Sequence, residues 1–314
     1  MRILSIYPFR KAVWSIGSDQ ENVLPYLRKS GFKIWPIWFN VYSFWWNQTP
    51  SWMLKMPGKK FLFLSNFVSE DSENWSKLMS FDSKNVTWIC PSSKQMRVLS
   101  NNSLKGNISY LPILVSSIYL KDPEVEKGSS KKLRIGNFMR DSTGANLFMP
   151  KWQKNPDLFI DIVRGLDFEK FEIILAGPRR HYIRRSLEEL DIPYTFVGYR
   201  SEDDDLGVNS LPEDHIHSLI CSCDVILVTS ESEGGPKAIP EALLTKTHVL
   251  STDVGHARDY LPNDSIFSTS DEARSKLVER FNFYKKLNED GRRLALKIQN
   301  EENYLNLLKD IICR

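Results

Sequence analysis

From residue 133 onward the chain repeats one rhythm, a short, nearly continuous apolar run followed by an amphipathic stretch. The runs at 133–138, 171–176, 194–199, 225–229 and 249–252 read as strands covered on both faces by helices, because a strand exposed on one side would alternate polar and apolar residues. Between the first two, Asn155-Pro156-Asp157 supplies a capping side chain, a proline at the first helical position and an acid in the first turn. Leu158, Phe159, Ile162, Val163 and Leu166 then fall on one face at helical spacing. Further helices are expected at 179–190, 212–223 and 236–244. Such alternation predicts an α/β domain built on a doubly wound parallel sheet.

The first half reads as a second α/β domain, with strands expected at 2–7, 32–38, 61–64, 86–90 and 108–111, and helices at 21–29 and 93–100. Its surface chemistry differs: residues 1–121 carry 15 Lys+Arg against 6 Asp+Glu, whereas the remainder carries 27 against 33. Eight of the nine tryptophans precede residue 90, among them Trp35, Trp38, Trp45, Trp46 and Trp52. Core packing of a small domain is expected to account for at least half of that block, and contact with an acceptor or a membrane interface for the rest. A length of 314 residues suits two domains. The expected division is an N-terminal domain at 1–121, a polar linker at 122–132, a C-terminal α/β domain at 133–291, and a C-terminal helix at 292–314 that packs back on the first domain. The tail from 271 is read as helical with an interruption at Gly291, and no internal repeat is present.

Several classes fall away. Apolar content of 41% is too high for a disordered chain. The four scattered cysteines, Cys90, Cys221, Cys223 and Cys313, lack the spacing of a zinc site or a disulfide framework and read as reduced thiols. No apolar run reaches the length of a membrane span, and the first residues lack the pattern of a signal peptide. A cytoplasmic protein is expected, with peripheral contact at the inner membrane face. Arg179, Arg180, Arg184 and Arg185 read as a solvated helix face, and the run at Asp203, Asp204 and Asp205 as a solvated loop. His215 and His217 lack ligand spacing, so no metal site is expected.

In an open parallel sheet, ligands sit beyond the carboxyl ends of the strands. The loop after the strand at 225–229 holds Glu233, Gly234, Gly235, Pro236, Lys237 and, eight residues after the first, Glu241. Adjacent glycines ahead of a helix leave backbone N–H groups free for an anion such as phosphate. The flanking carboxylates can accept hydrogen bonds from sugar or ribose hydroxyls.

Glu233-Gly234-Gly235-Pro236 running to Glu241-Ala242 resembles the signature of the retaining glycosyltransferases of family 4: two glutamates separated by seven residues, in an E-G-x-P-x-x-x-x-E-A context. Lys154-Asn155-Pro156-Asp157 resembles that family's lysine-glycine-x-aspartate segment, with Asn155 where glycine is usual. Ala176-Gly177-Pro178 resembles its strand-glycine turn, and Val254-Gly255 its following glycine segment. The likeness covers about 133–262 and implies a GT-B fold of two facing Rossmann-like domains. It implies catalytic roles for Glu233, at the donor-sugar hydroxyls, and Lys154, at the leaving diphosphate. Glu241 would hold the ribose, and Gly234, Gly235, Lys237, Arg140 and Lys154 would complete the nucleotide-sugar site. The family's arginine after the first glycine is replaced by Asn137, which leaves Arg140 as the nearest arginine. No histidine precedes His181, so the first domain lacks the family's sugar-contacting histidine, and its glycine-rich turn is reduced to Gly17.

The implied activity is metal-independent transfer of a sugar, with retention, from a nucleoside-diphosphate sugar to a carbohydrate, lipid-linked or other small acceptor of anionic character, in glycan biosynthesis. No cofactor and no nucleic acid are expected. A nucleotide-sugar epimerase, a phosphorylase, or a catalytically silent nucleotide-sugar-binding subunit would share the architecture.

Overall fold

The computed structural model describes residues 2–9, 15–35, 38–121 and 130–313. It divides into two compact units, Met1–Ser116 with Glu233–Pro236 and Lys297–Arg314, and Ser117–Ser232 with Lys237–Leu296. The expected linker at 122–132 lies largely outside the described residues.

The first unit contains β1 (Arg2–Tyr7), α1 (Ser15–Lys29), β2 (Phe32–Ile34), β3 (Val41–Ser43), α2 (Ser51–Lys55), β4 (Lys60–Phe63), α3 (Trp75–Phe81), β5 (Val86–Cys90), α4 (Ser93–Ser100) and β6 (Asn107–Tyr110). All six strands are parallel, in the order β2-β1-β3-β4-β5-β6. Strand β3 was missed from sequence because three residues between aromatic loops carry too little pattern. Gly17 lies inside α1 rather than in a turn, as do Ser15, Ile16 and Ser18 of the segment expected to form it, while Trp14 falls outside the described residues. Leu4, Ile6, Phe61, Phe63 and Ile89 form one face of the core, and Leu62, Leu64, Trp46 and Trp88 form the other.

The second unit contains β7 (Leu133–Asn137), α5 (Pro156–Val163), β8 (Phe171–Ala176), α6 (His181–Glu189), β9 (Thr195–Val197), α7 (Glu213–Ser222), β10 (Val225–Val228), α8 (Ala238–Leu244), β11 (His248–Thr252), α9 (Ala257–Tyr260), β12 (Ile266–Phe267), α10 (Ser270–Glu279) and α11 (Phe281–Tyr284). Its six parallel strands run β12-β11-β10-β7-β8-β9, the doubly wound order in which the direction of progression reverses between β7 and β10. Leu133, Ile135, Ile173, Leu175, Val225 and Leu227 are fully buried at its centre. The tail continues as α12 (Glu289–Ile298) and α13 (Glu301–Cys313). Gly291 sits inside α12, and the breaks fall instead after Tyr284 and at Gln299 and Asn300. On α13, Tyr304, Leu308, Ile311 and Ile312 join the first unit's core. Among the described residues no helix is long and apolar enough to cross a membrane, and all four cysteines are free thiols.

Candidate functional site at the switch point of the second sheet

Where β7 and β10 diverge, the paired register ends at Gly136 and Ile226. One residue further on, the Asn137 side chain donates to the Leu227 carbonyl at 2.9 Å, replacing a ladder bond the strands no longer make. The loops beyond these two strands carry the sequence-derived candidates. Lys154 ends a 3-10 turn, Trp152–Lys154, which is bonded to the loop after β10. The Thr229 hydroxyl donates to the Lys154 carbonyl at 3.1 Å, and the Glu231 and Ser232 amides donate to the Gln153 carbonyl at 2.9 and 3.3 Å. Asn155 explains its own departure from glycine. Its φ is 45°, in the left-handed region, while its side chain accepts from the Leu158 amide and caps α5. Asparagine tolerates that backbone better than other side chains do.

Residues Glu233–Pro236 group with the first unit and Lys237 and Glu241 with the second. The expected helix start at Pro236 is corrected: α8 begins at Ala238, with Lys237 capping it in helical geometry. Pro236 disfavours a helical residue before it, so Gly234 and Gly235 lie in non-helical backbone rather than at the helix start. A Cβ on Gly234 would stand 2.6 Å from the Ser65 carbonyl oxygen and 2.9 Å from that of Leu64, a close backbone approach that requires glycine. Glu241 sits in the first turn of α8, its amide donating to the Lys237 carbonyl at 3.1 Å. Burial pushes its carboxyl up to about 7 against the pull of the Lys237 ammonium. The turn Ser117–Leu120 packs on α7 and α8 and brings the buried Tyr119 within electrostatic reach of Glu241. Burial, then Glu241, then Glu213 raise the Tyr119 phenol.

Arg140 stands in the loop after β7, where burial and then the neighbouring Arg179 guanidinium lower its pKa. Two expectations are corrected beside it. Arg180 and Arg184 are buried rather than solvated, and Asp205 is buried as well. Arg180, with no exposed surface, donates to the Asn137 side-chain oxygen at 2.8 Å and lies 3.1 Å from the Asp141 carboxylate. Burial nonetheless pushes the Asp141 carboxyl up. Arg179, at φ 56°, receives the Asp141 and Ser142 amides on its carbonyl. Its own amide donates to Asp205 at 2.6 Å, and its guanidinium pairs with Asp204 at 2.8 Å. Asn209 links Asp205 to the Tyr199 backbone after β9. A continuous polar chain thus runs along the carboxyl ends of β10, β7, β8 and β9. Its sequence signal was the concentration of arginines at 179–185 and of aspartates at 203–205, of which Arg179 meets Asp204 and Asp205 while Arg180 meets Asp141. Gly177, at φ 91°, makes the turn that brings Arg179 and Arg180 under the loop.

Among the described residues no three His, Cys, Asp or Glu side chains come together as a metal-binding group. His217 is buried against Cys221 and Tyr119, while His215 is exposed. In the aromatic block, Trp46 is buried, but Trp35, Trp38 and Trp52 are 50%, 37% and 46% exposed, so core packing does not account for them.

Residues 145–280 match the family described as glycosyl transferases group 1. The fold as a whole is that of GT-B glycosyltransferases. HepE of Anabaena, in complex with UDP and glucose, superposes with a TM-score of 0.70 at 13% identity, over 100% of this chain and 99% of that one. A TarM mutant of S. aureus, in complex with fondaparinux, alpha-GlcNAc-glycerol and UDP, superposes at 0.69 and 13% identity, over 87% of this chain. That match covers only 55% of the TarM chain. Sucrose-phosphate synthase of Thermosynechococcus elongatus gives 0.67 at 14% identity, over 93% of this chain and 76% of that one. No curated protein sequence matches the chain.

Proposed function

We propose that the chain transfers a sugar from a nucleoside-diphosphate sugar to a hydroxyl-bearing acceptor, with retention of configuration and without a metal. The observation that carries this reading is that Arg140 and Lys154 lie in the loop after β7, and Lys237 and Glu241 at the start of α8 after β10, beyond the strand ends at the switch point of the second sheet. There Glu241 accepts hydrogen bonds from the ribose, and Glu233 from the donor sugar. Lys154, Arg140 and Lys237, with the amides of Gly234 and Gly235, face the diphosphate. As the bond from the anomeric carbon to the diphosphate oxygen breaks, negative charge builds on the leaving group, and fixed cations stabilise it there. The acceptor is a carbohydrate, lipid-linked or other small molecule. UDP and its sugars are the first donors to try, since UDP is bound by the HepE and TarM structures.

A thermal-shift screen of nucleoside diphosphates and their sugars tests the reading, because a ligand that binds the native state raises its unfolding temperature. Glu241→Ala and Lys154→Ala should each weaken donor binding by about 10- to 150-fold, the loss of one charge-assisted hydrogen bond. Unchanged affinity in both variants overturns the site. Turnover abolished by a chelator and restored by Mg²⁺ or Mn²⁺ overturns the metal-independent chemistry alone.

A further inference from the structure

Three exposed aromatic side chains of the first unit, Trp38, Phe39 and Trp52, belong to two segments that one buried lysine ties together. Lys60, 1% exposed, donates from its ammonium to the Phe39 carbonyl at 2.7 Å, to Gly58 at 2.9 Å and to Pro57 at 3.2 Å. The segments also abut: a Cβ on Gly58 would lie 2.8 Å from the Phe39 carbonyl oxygen, and the Lys59 amide donates to the Asn40 side chain at 2.9 Å. Trp38 and Phe39 pack ring to ring at 5.4 Å. Trp52 stands on α2, about one turn of chain before Pro57, with Lys55 and Lys59 exposed on the same segment.

Phe39 precedes β3 and Lys59 precedes β4, so this face lies at the amino-terminal end of those strands. Ligands of an open parallel sheet bind at the opposite, carboxyl end, and the Trp38 and Phe39 rings are therefore not placed to stack on a sugar in that unit's ligand site. The stretch of chain that carries them has charge of one sign. From Asn22 to Ser69 the sequence contains no aspartate or glutamate, while Arg28, Lys29, Lys33, Lys55, Lys59 and Lys60 fall within it. Exposed lysine is depleted at the cores of protein interfaces. Tryptophan flanked by lysine is the composition of a surface seated at lipid headgroups.

We propose that this face docks the protein on an anionic phospholipid bilayer, with Trp38, Phe39 and Trp52 entering the headgroup layer and Lys55 and Lys59 meeting the lipid charge. The surface goes beyond the sugar-transfer reading, and its test uses no sugar donor, so each can fail alone. Flotation of the full chain with vesicles of phosphatidylcholine, with or without about 30% phosphatidylglycerol, at about 50 and 300 mM salt, reads it directly. Binding is expected on the anionic vesicles and should weaken at the higher salt. Lys55→Ala and Lys59→Ala should each reduce it about fivefold. The Trp38→Ser/Phe39→Ser/Trp52→Ser variant should reduce it more than about tenfold, with an unchanged thermal unfolding midpoint showing that it folds. Absent binding, equal binding to neutral vesicles, or equal binding by the triple variant overturns the proposal. So does self-association in solution that the triple variant abolishes, which assigns the face to a second copy of the chain.

Discussion

Asn155 holds two jobs that usually need different residues, a left-handed backbone and a helix cap. Asn155→Ala removes the cap, worth about 1 kcal/mol, and forces a Cβ-bearing residue without a local hydrogen bond into the left-handed region, worth another 1–2 kcal/mol or so. A loss of about 2–3 kcal/mol in urea unfolding is expected, whereas Asn155→Gly keeps the backbone and should cost only about a few tenths. Glu241 presents a different balance. Its carboxyl is held up to about 7 in the folded chain against an ordinary value of 4.5, so the folded state binds that proton more tightly than the unfolded one. The resulting stability is complete below about pH 4.5 and is lost as pH rises through about 7, by at most about 3 kcal/mol. Thermal midpoints measured across that window should fall less for Glu241→Gln than for the natural chain, and parallel curves would show that the carboxyl is not shifted.

At the scale of elements, the loop carrying Arg140 is held by its neighbours rather than by its own pattern. Arg180, which caps the start of α6 after β8, reaches both Asn137 and Asp141, so the loop after β7 is positioned from the segment that follows the adjacent strand. Asp141→Asn leaves a guanidinium buried without its counter-charge and should cost about 3–5 kcal/mol. The double variant Asp141→Asn/Arg180→Met removes both charges and should recover much of that loss. A double-mutant cycle in denaturant gives the coupling directly, and additive losses would mean that the two side chains do not act as a pair. The same packing explains why the arginines at 179–185 could not be read as one face: Arg180 and Arg184 turn into the fold while Arg185 stays in solvent.

For the whole molecule, two units of opposite charge balance share the chain. The first 121 residues hold the excess of lysine and arginine, and the remainder the excess of acid. Short-range pattern was enough to place most strands of both sheets. Nearly continuous apolar runs mark strands covered on two faces, and Asn155-Pro156-Asp157 marks a helix start, because these signals depend on a residue and its immediate neighbours. Glu233, Glu241 and Lys154 were singled out by the likeness of their surroundings to a family motif, and they lie in the stretches that follow β10 and β7. Segments of two or three residues, β3 and β12, were not legible, since they owe their form to the strands they pair with. The strand order that sets β7 beside β10, the burial of Arg180 with Asp141, and the joining of Phe39 to Gly58 by Lys60 were decided only by the tertiary structure. Each depends on residues distant in sequence meeting away from water, where a charge or a carbonyl must find its partner, and local spacing carries no record of which partner that will be.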